Sequence, residues 1–238
     1  MKKNVRLFKS LKIALQELKP FILDGRQILR GNQISRFDGA RPRELVANWL
    51  IAVVANASSG TDDFTFTSDP DGDGIIYNKR LQEDWPMEHI IVPPARPSDP
   101  VSAEERIRDQ VQKKQDKGGA QYARGKTLLV FNELGDNTEW HPNKAARILP
   151  KHDFDQVWAV GLLSVRDESY SYYVTTLDPT VDNVPVWVVR ITPDFSEWEV
   201  EQTQSPTIVT VTFEFGSLGP TRTVRFFMGP PFLWTRFR

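Results

Sequence analysis

Two runs decide the reading of this chain: Asp73-Gly74-Ile75-Ile76-Tyr77 and Met87-Glu88-His89-Ile90-Ile91-Val92. Each is short and rich in β-branched residues, the pattern of a strand, and turn-forming residues separate them. Each also carries a carboxylate near its start. A charged side chain heading an Ile-Ile-Val run is costly to bury unless it is paired or metal-bound. If the two runs are hairpin partners, Asp73 and Glu88 converge on one point. A hard divalent cation such as Mg²⁺ or Mn²⁺ needs only a few carboxylate oxygens and keeps several waters. It would stabilise charge on a phosphodiester and activate a water.

Working outward, Arg41–Ala57 reads as the clearest helix, with Pro42 suited to its first turn. Leu45, Trp49, Leu50 and Val53 give it a wide apolar face, and Glu44 lies in the first turn near that face. A strand is expected at Phe64–Thr67. Beyond the Pro-rich loop Pro93–Pro100, Ser102 and Glu105 form a capping box. A helix over about 103–117 should therefore follow and stop at Gly118-Gly119. Leu128–Phe131 is apolar throughout, as in a strand buried on both faces. Asn143–Leu149 reads as a short helix and Phe154–Leu163 as another buried strand.

The pattern then changes. Tyr170–Leu177, Val184–Ile191, Ile208–Phe215 and Arg222–Met228 alternate or run apolar between turns, which predicts an antiparallel meander. At the other end, Phe8, Leu11, Leu15, Leu18 and Ile22 form a helical stripe. Pro20 should interrupt it, giving a helix over about 4–18 and a second short one. The expected organisation is a helical extension (1–33), an α/β core (34–165) and a β meander continuous with it (166–238). The fold class is α/β: a mixed central sheet flanked by helices, with an antiparallel β extension at the C-terminus.

The order helix, strand with Asp73, strand with Glu88, helix, apolar strand resembles the restriction-endonuclease-like PD-(D/E)XK superfamily, over roughly residues 41–163. The resemblance implies a restriction-endonuclease-like core and a divalent-metal-dependent nuclease acting on DNA. It matches Asp73 to the family's Asp and Glu88 to the acid of (D/E)XK. Glu44 matches the acid some members carry on the first helix. The metal ligands would be Asp73, Glu88 and Glu44. The carbonyl of residue 89 can also ligate in such sites. The chain departs from the pattern at the lysine, whose place is taken by Ile90. Some members supply this lysine from the following helix. In helix 103–117, Ala103, Ile107 and Val111 mark the sheet-facing side. Lys114 lies about 20° off that line, with Gln110 on the same side. The catalytic set is thus Asp73, Glu88 and Lys114, and Glu88→Ala is expected to abolish cleavage with the fold intact. Without catalysis, the same scaffold would be a nuclease-like binding or assembly protein.

Other chemistries fit less well. Asp69, Asp71 and Asp73, with Gly74, follow the start of an EF-hand calcium loop, but Arg80 stands where its closing Glu belongs and the flanks read as strands. His89 should point away from Glu88 by strand alternation. His89, His141 and His152 lack zinc-ligand spacing. Ser68, Ser164 and Ser171 lack a nucleophile elbow. Arg124-Gly125-Lys126-Thr127 looks like the tail of a P-loop, but the preceding glycine is misplaced and a strand follows rather than precedes it. Trp140, Trp158, Trp187, Trp198 and Trp234 could stack on bases, though core packing accounts for such residues equally.

The 238 residues contain no cysteine, which excludes disulfides, thiolate metal sites and cysteine nucleophiles. No apolar run is long enough to span a bilayer and no signal peptide is read, so a cytoplasmic protein without membrane contact is expected. The net charge of −1 hides basic ends around an acidic middle. Such ends suit DNA backbone contacts, although the balance lacks the basic excess usual in nucleic-acid binders. The N-terminal helix or the C-terminal hairpin would serve a homo-oligomer.

Overall fold

The structure is a computed structural model. It describes residues 10–37, 39–69, 72–95, 101–134, 138–203 and 207–209. The order is α1 (Leu11–Leu23), α2 (Gly25–Arg30), α3 (Pro42–Ser59), β1 (Phe64–Thr67), β2 (Ile75–Asn78), β3 (Glu83–Val92), α4 (Ala103–Ala123) and β4 (Thr127–Asn132). β5 (Glu139–Trp140), α5 (Pro142–Ile148), β6 (Gln156–Arg166), β7 (Ser169–Thr176), β8 (Val186–Ile191), β9 (Trp198–Thr203) and β10 (Ile208–Val209) follow. Eight strands form one mixed sheet in the order β1-β2-β3-β4-β6-β7-β8-β9, and β5 pairs with β10 apart from it. The chain is therefore α/β with helices on both faces of a mixed sheet.

β1, β2 and β3 form an antiparallel meander. β3 changes partner midway: Glu83–Pro86 pairs antiparallel with β2, and Met87–Val92 pairs parallel with β4. β4 runs parallel to β6, and β6 to β9 complete the sheet antiparallel. The parallel pairs require crossovers, supplied by α4 and α5. Strand alternation divides the core in two. Met87, Leu129, Phe131 and Val160 face α1 and α3, whereas Val92, Leu128, Val130 and Ala159 face α4 and α5.

α3 starts where expected. Pro42 opens it, and Glu44 reaches back to accept from the Arg41 backbone N–H at 2.8 Å. It ends at Gly60, whose φ of 64° is the left-handed conformation glycine adopts at little cost. Residues around its whole circumference are buried because the sheet covers one side and α1 with α2 the other. The Trp49 indole N–H donates to the Leu11 carbonyl at 2.9 Å, and its ring meets Trp198 edge-on.

Three local expectations need correction. Pro20 does not interrupt α1, which runs on to Leu23. Burial of Ala14, Leu15, Leu18 and Ile22 on one stripe outweighs the backbone bond that proline forfeits. Residues 4–9 of the expected 4–18 helix lie outside the described residues. Regular helix in α4 breaks at Gly118-Gly119, as expected, but the break does not end the element. Gly119 leaves helical geometry (φ 69°, ψ 178°), and the chain then resumes a helical turn through Ala123. Finally, β9 was not anticipated. Of the expected Ile208–Phe215 strand, only Ile208–Val209 is described, paired with β5. Arg222–Met228 lies outside the described residues.

Candidate active site

Asp73, Glu88 and Lys114 lie within electrostatic reach of one another where β3 changes partner. The Met87 N–H donates to the Gly74 carbonyl at 2.8 Å, the last backbone rung on the β2 side. The next N–H on that side, His89, donates to Asp73 Oδ2 at 2.7 Å. The Asp73 carboxylate thus takes the place of a strand. Asn48 of α3 secures this corner, donating through Nδ2 to the Asp73 carbonyl at 3.0 Å.

Glu88 faces α4 and is 4% exposed. Lys126 donates to its Oε1 at 2.7 Å and Lys114 to its Oε2 at 2.9 Å. The Tyr122 hydroxyl donates to Oε2 as well. Lys126 also stands over the Tyr122 ring, 3.9 Å from its centre. Burial alone would raise the Glu88 carboxyl, but the hydrogen bonds from Lys126, Tyr122 and Lys114 outweigh it and hold the group below its ordinary value. Lys114 shows the converse. Burial opposes its charge, yet Glu88 holds its ammonium above the ordinary lysine value.

Ile90 follows Glu88 on the same face of β3 and packs against the α4 core. The helix-borne Lys114 reaches this face and donates to Glu88. Periodicity located it. Tyr122 and Lys126 were not anticipated. Tyr122 reaches Glu88 only because the chain continues past the break at Gly119. Lys126 lies two residues before Leu128 and so shares its face of β4, and Glu88 pairs with Leu128. Alternation along β4 held that signal, but only once the register with β3 was known.

Glu44 lies on the other side of the corner, in the first turn of α3. It and Asp73 line a cavity of about 280 Å³ with Gln33, Arg41, Arg43, Asp69, His89 and Lys114. Burial raises the Asp73 carboxyl, the His89 N–H opposes this, and the Glu88 charge raises it further. Burial likewise raises Glu44, with Asp73 adding to the shift. His89 points away from Glu88, as expected, toward Asn48 Oδ1 at 3.1 Å. Burial, with the Arg43 charge, pushes its pKa down to about 3, so the ring stays neutral.

These donors suit a hard cation in part. Asp73 and Glu44 are carboxylates that burial and mutual repulsion make reluctant to ionise, and a bound cation would relieve both effects. However, no group of three or more His, Asp or Glu residues among the described residues is poised to hold a metal ion. A cation would be held by Asp73 and Glu44 with its own waters, or would draw Glu88 from Lys114. Asp69 lines the same cavity, while Asp71 lies outside the described residues. The Asp69–Asp73 segment links strands β1 and β2, not the helices an EF-hand needs.

Among the described residues, no helix is long and apolar enough to cross a membrane. Comparison with protein-family models, with curated proteins and with solved structures finds no match.

Proposed function

We propose that this cavity is the active site of a divalent-metal-dependent phosphodiesterase acting on DNA, built on a restriction-endonuclease-like core. The observation that carries this reading is the relocated lysine. Lys114 comes from the crossover helix to Glu88 on the face where Ile90 provides no charge, and Asp73 stands at the neighbouring strand end. The element order also supports it: α3, a three-stranded meander, the crossover helix α4, and β4 parallel to β3.

Asp73 and Glu44 would hold Mg²⁺ or Mn²⁺ with the cation's own waters, and Glu88 would join them on leaving Lys114. The cation would supply positive charge to the phosphodiester and acidify a water. Lys114 keeps its proton because Glu88 raises its affinity for it. Its part is therefore to donate a hydrogen bond and hold a water or phosphoryl oxygen in place, not to act as a base. Lys126 fixes the Glu88 carboxylate at Oε1 and Tyr122 shares Oε2 with Lys114, and so they position Lys114.

Asp73→Asn tests the assignment through two opposed effects. The raised Asp73 carboxyl contributes stability at acidic pH that is lost as pH rises through its folded value. At neutral pH the ionised group thus costs stability, and the neutral amide removes that cost. Asp73→Asn should melt at or above the wild-type temperature without metal, show no Mn²⁺-induced rise in melting temperature, and fail to cleave. Metal-dependent cleavage in this variant would refute the assignment. A second reading, a phosphate-binding scaffold without catalysis, is favoured by the occupation of both Glu88 oxygens by protein donors. Wild-type protein that binds DNA but neither binds Mn²⁺ nor cleaves would establish it.

A further inference from the structure

Arg43 is the residue at this cavity that neither the sequence pattern nor the metal reading uses. Its side chain is 11% exposed, and its one acidic contact of note is loose, Nη2 to Glu44 Oε1 at 3.5 Å. Its Nε is fully buried and finds no hydrogen-bond partner among the described residues. Burial lowers its pKa, a sign that its neighbours under-compensate the charge. A buried guanidinium N–H without an acceptor is costly, and its natural complement is an anion that brings oxygen acceptors.

The cavity carries cations beside the carboxylates of Glu44, Asp69 and Asp73. Arg41, Arg43 and Lys114 line the cavity together with the Gln33 amide. The buried His89 is a second incomplete group. The Asn48 amide donates to the Asp73 carbonyl, so its Oδ1 faces His89 Nε2 and that nitrogen must carry the proton. His89 Nδ1 is left as an acceptor, buried and without a partner among the described residues. It lines the same cavity as Arg43 but, being neutral, gives an anion there neither charge nor a donor, which leaves that part to the cations.

We infer that Arg43 is the principal contact of a phosphoryl-anion subsite, with Arg41 and Lys114 completing the charge. The ligand class is a phosphate ester of a nucleic-acid strand, either an internal diester or a terminal monoester. This deepens the phosphodiesterase reading, since it names the group that holds the substrate's phosphate beside the carboxylates. It does not depend on catalysis.

The test is binding without metal. Fluorescence anisotropy in EDTA would follow single-stranded oligonucleotides bearing either a 5′-phosphate or a 5′-hydroxyl. Wild-type protein should bind, and Arg43→Gln should bind about tenfold more weakly or worse. Arg43→Lys should recover only part, because lysine does not reproduce the planar fork. Lys113→Gln, the same loss of charge at an exposed position on α4, should change affinity far less. Melting temperatures would verify that each variant is folded. Equal loss on both oligonucleotides assigns the subsite to an internal diester, and loss confined to the 5′-phosphate assigns it to a monoester. No binding by the wild type, or equal binding by Arg43→Gln and wild type, overturns the inference. Metal-dependent cleavage, assayed separately, tests the phosphodiesterase reading independently.

Discussion

Glu88→Ala is expected to abolish metal-dependent cleavage and also to destabilise the protein by roughly 3 kcal/mol. The second effect revises the expectation that the fold would survive unharmed. Among the described residues, Glu88 is the one acid that hydrogen-bonds Lys114, Lys126 and the Tyr122 hydroxyl. Removing it leaves two ammonium groups close together with no paired counter-charge, Asp73 acting on Lys114 only at longer range. Their side chains are 18% and 27% exposed, so water recovers part of the loss and the cost falls below that of a fully buried pair. Urea unfolding would measure it. Adding Lys114→Met and Lys126→Met to Glu88→Ala should restore much of the stability and none of the activity, because apolar side chains need no counter-ion. Wild-type stability in Glu88→Ala would show that the four groups do not act as a cluster. The pH dependence has a definite sign. Glu88 is held below its ordinary value, so its contribution is full above the ordinary carboxylate range and is lost as pH falls through its depressed value.

Gly74→Ala is the second large expectation. Gly74 has φ of 130°, a conformation that side chains rarely adopt, and a Cβ there would lie 2.1 Å from Asn48 Nδ2 and 3.1 Å from the Thr67 carbonyl oxygen. Something must move, and Asn48 is the group that ties α3 to the Asp73 carbonyl and to His89. The expected cost is about 2–4 kcal/mol, from backbone strain and overpacking together. Activity should fall further than stability, since the displaced groups are those that set Asp73. In an Asn48→Ala background, the additional cost of Gly74→Ala should shrink toward the strain alone. An unchanged increment would place the conflict elsewhere, at the Thr67 carbonyl.

The elements that were legible in sequence are those whose pattern is local. Pro42 and Glu44 announce α3, Ser102 and Glu105 announce α4, and Ile107 and Val111 orient Lys114. What escaped depended on distant partners. Pro20 sits inside α1 because α3 receives the stripe around it. Gly119 ends regular helix, as glycine should, but nothing local says that the chain resumes and carries Tyr122 to Glu88. Lys126 stands in a segment that only resembles a nucleotide motif, and its partner lies on a parallel strand 38 residues away. β9 alternates as Trp-Glu-Val-Glu-Gln-Thr, but as an edge strand it is largely polar and carries little signal of its own. Arg43 passed unnoticed because an arginine in a first helical turn is ordinary until its burial is seen.

The change of partner along β3 has a spectroscopic consequence. Where β2 gives out, the amide proton of His89 rests against Asp73 instead of a neighbouring strand. That proton is a single nuclear spin hydrogen-bonded to a carboxylate that lines the cavity. Its chemical shift and its exchange with solvent will move when Asp73 gains a proton, a cation or a neutral substitute. One assigned resonance in an amide correlation spectrum therefore serves as an ammeter for the site, readable with no substrate and no turnover.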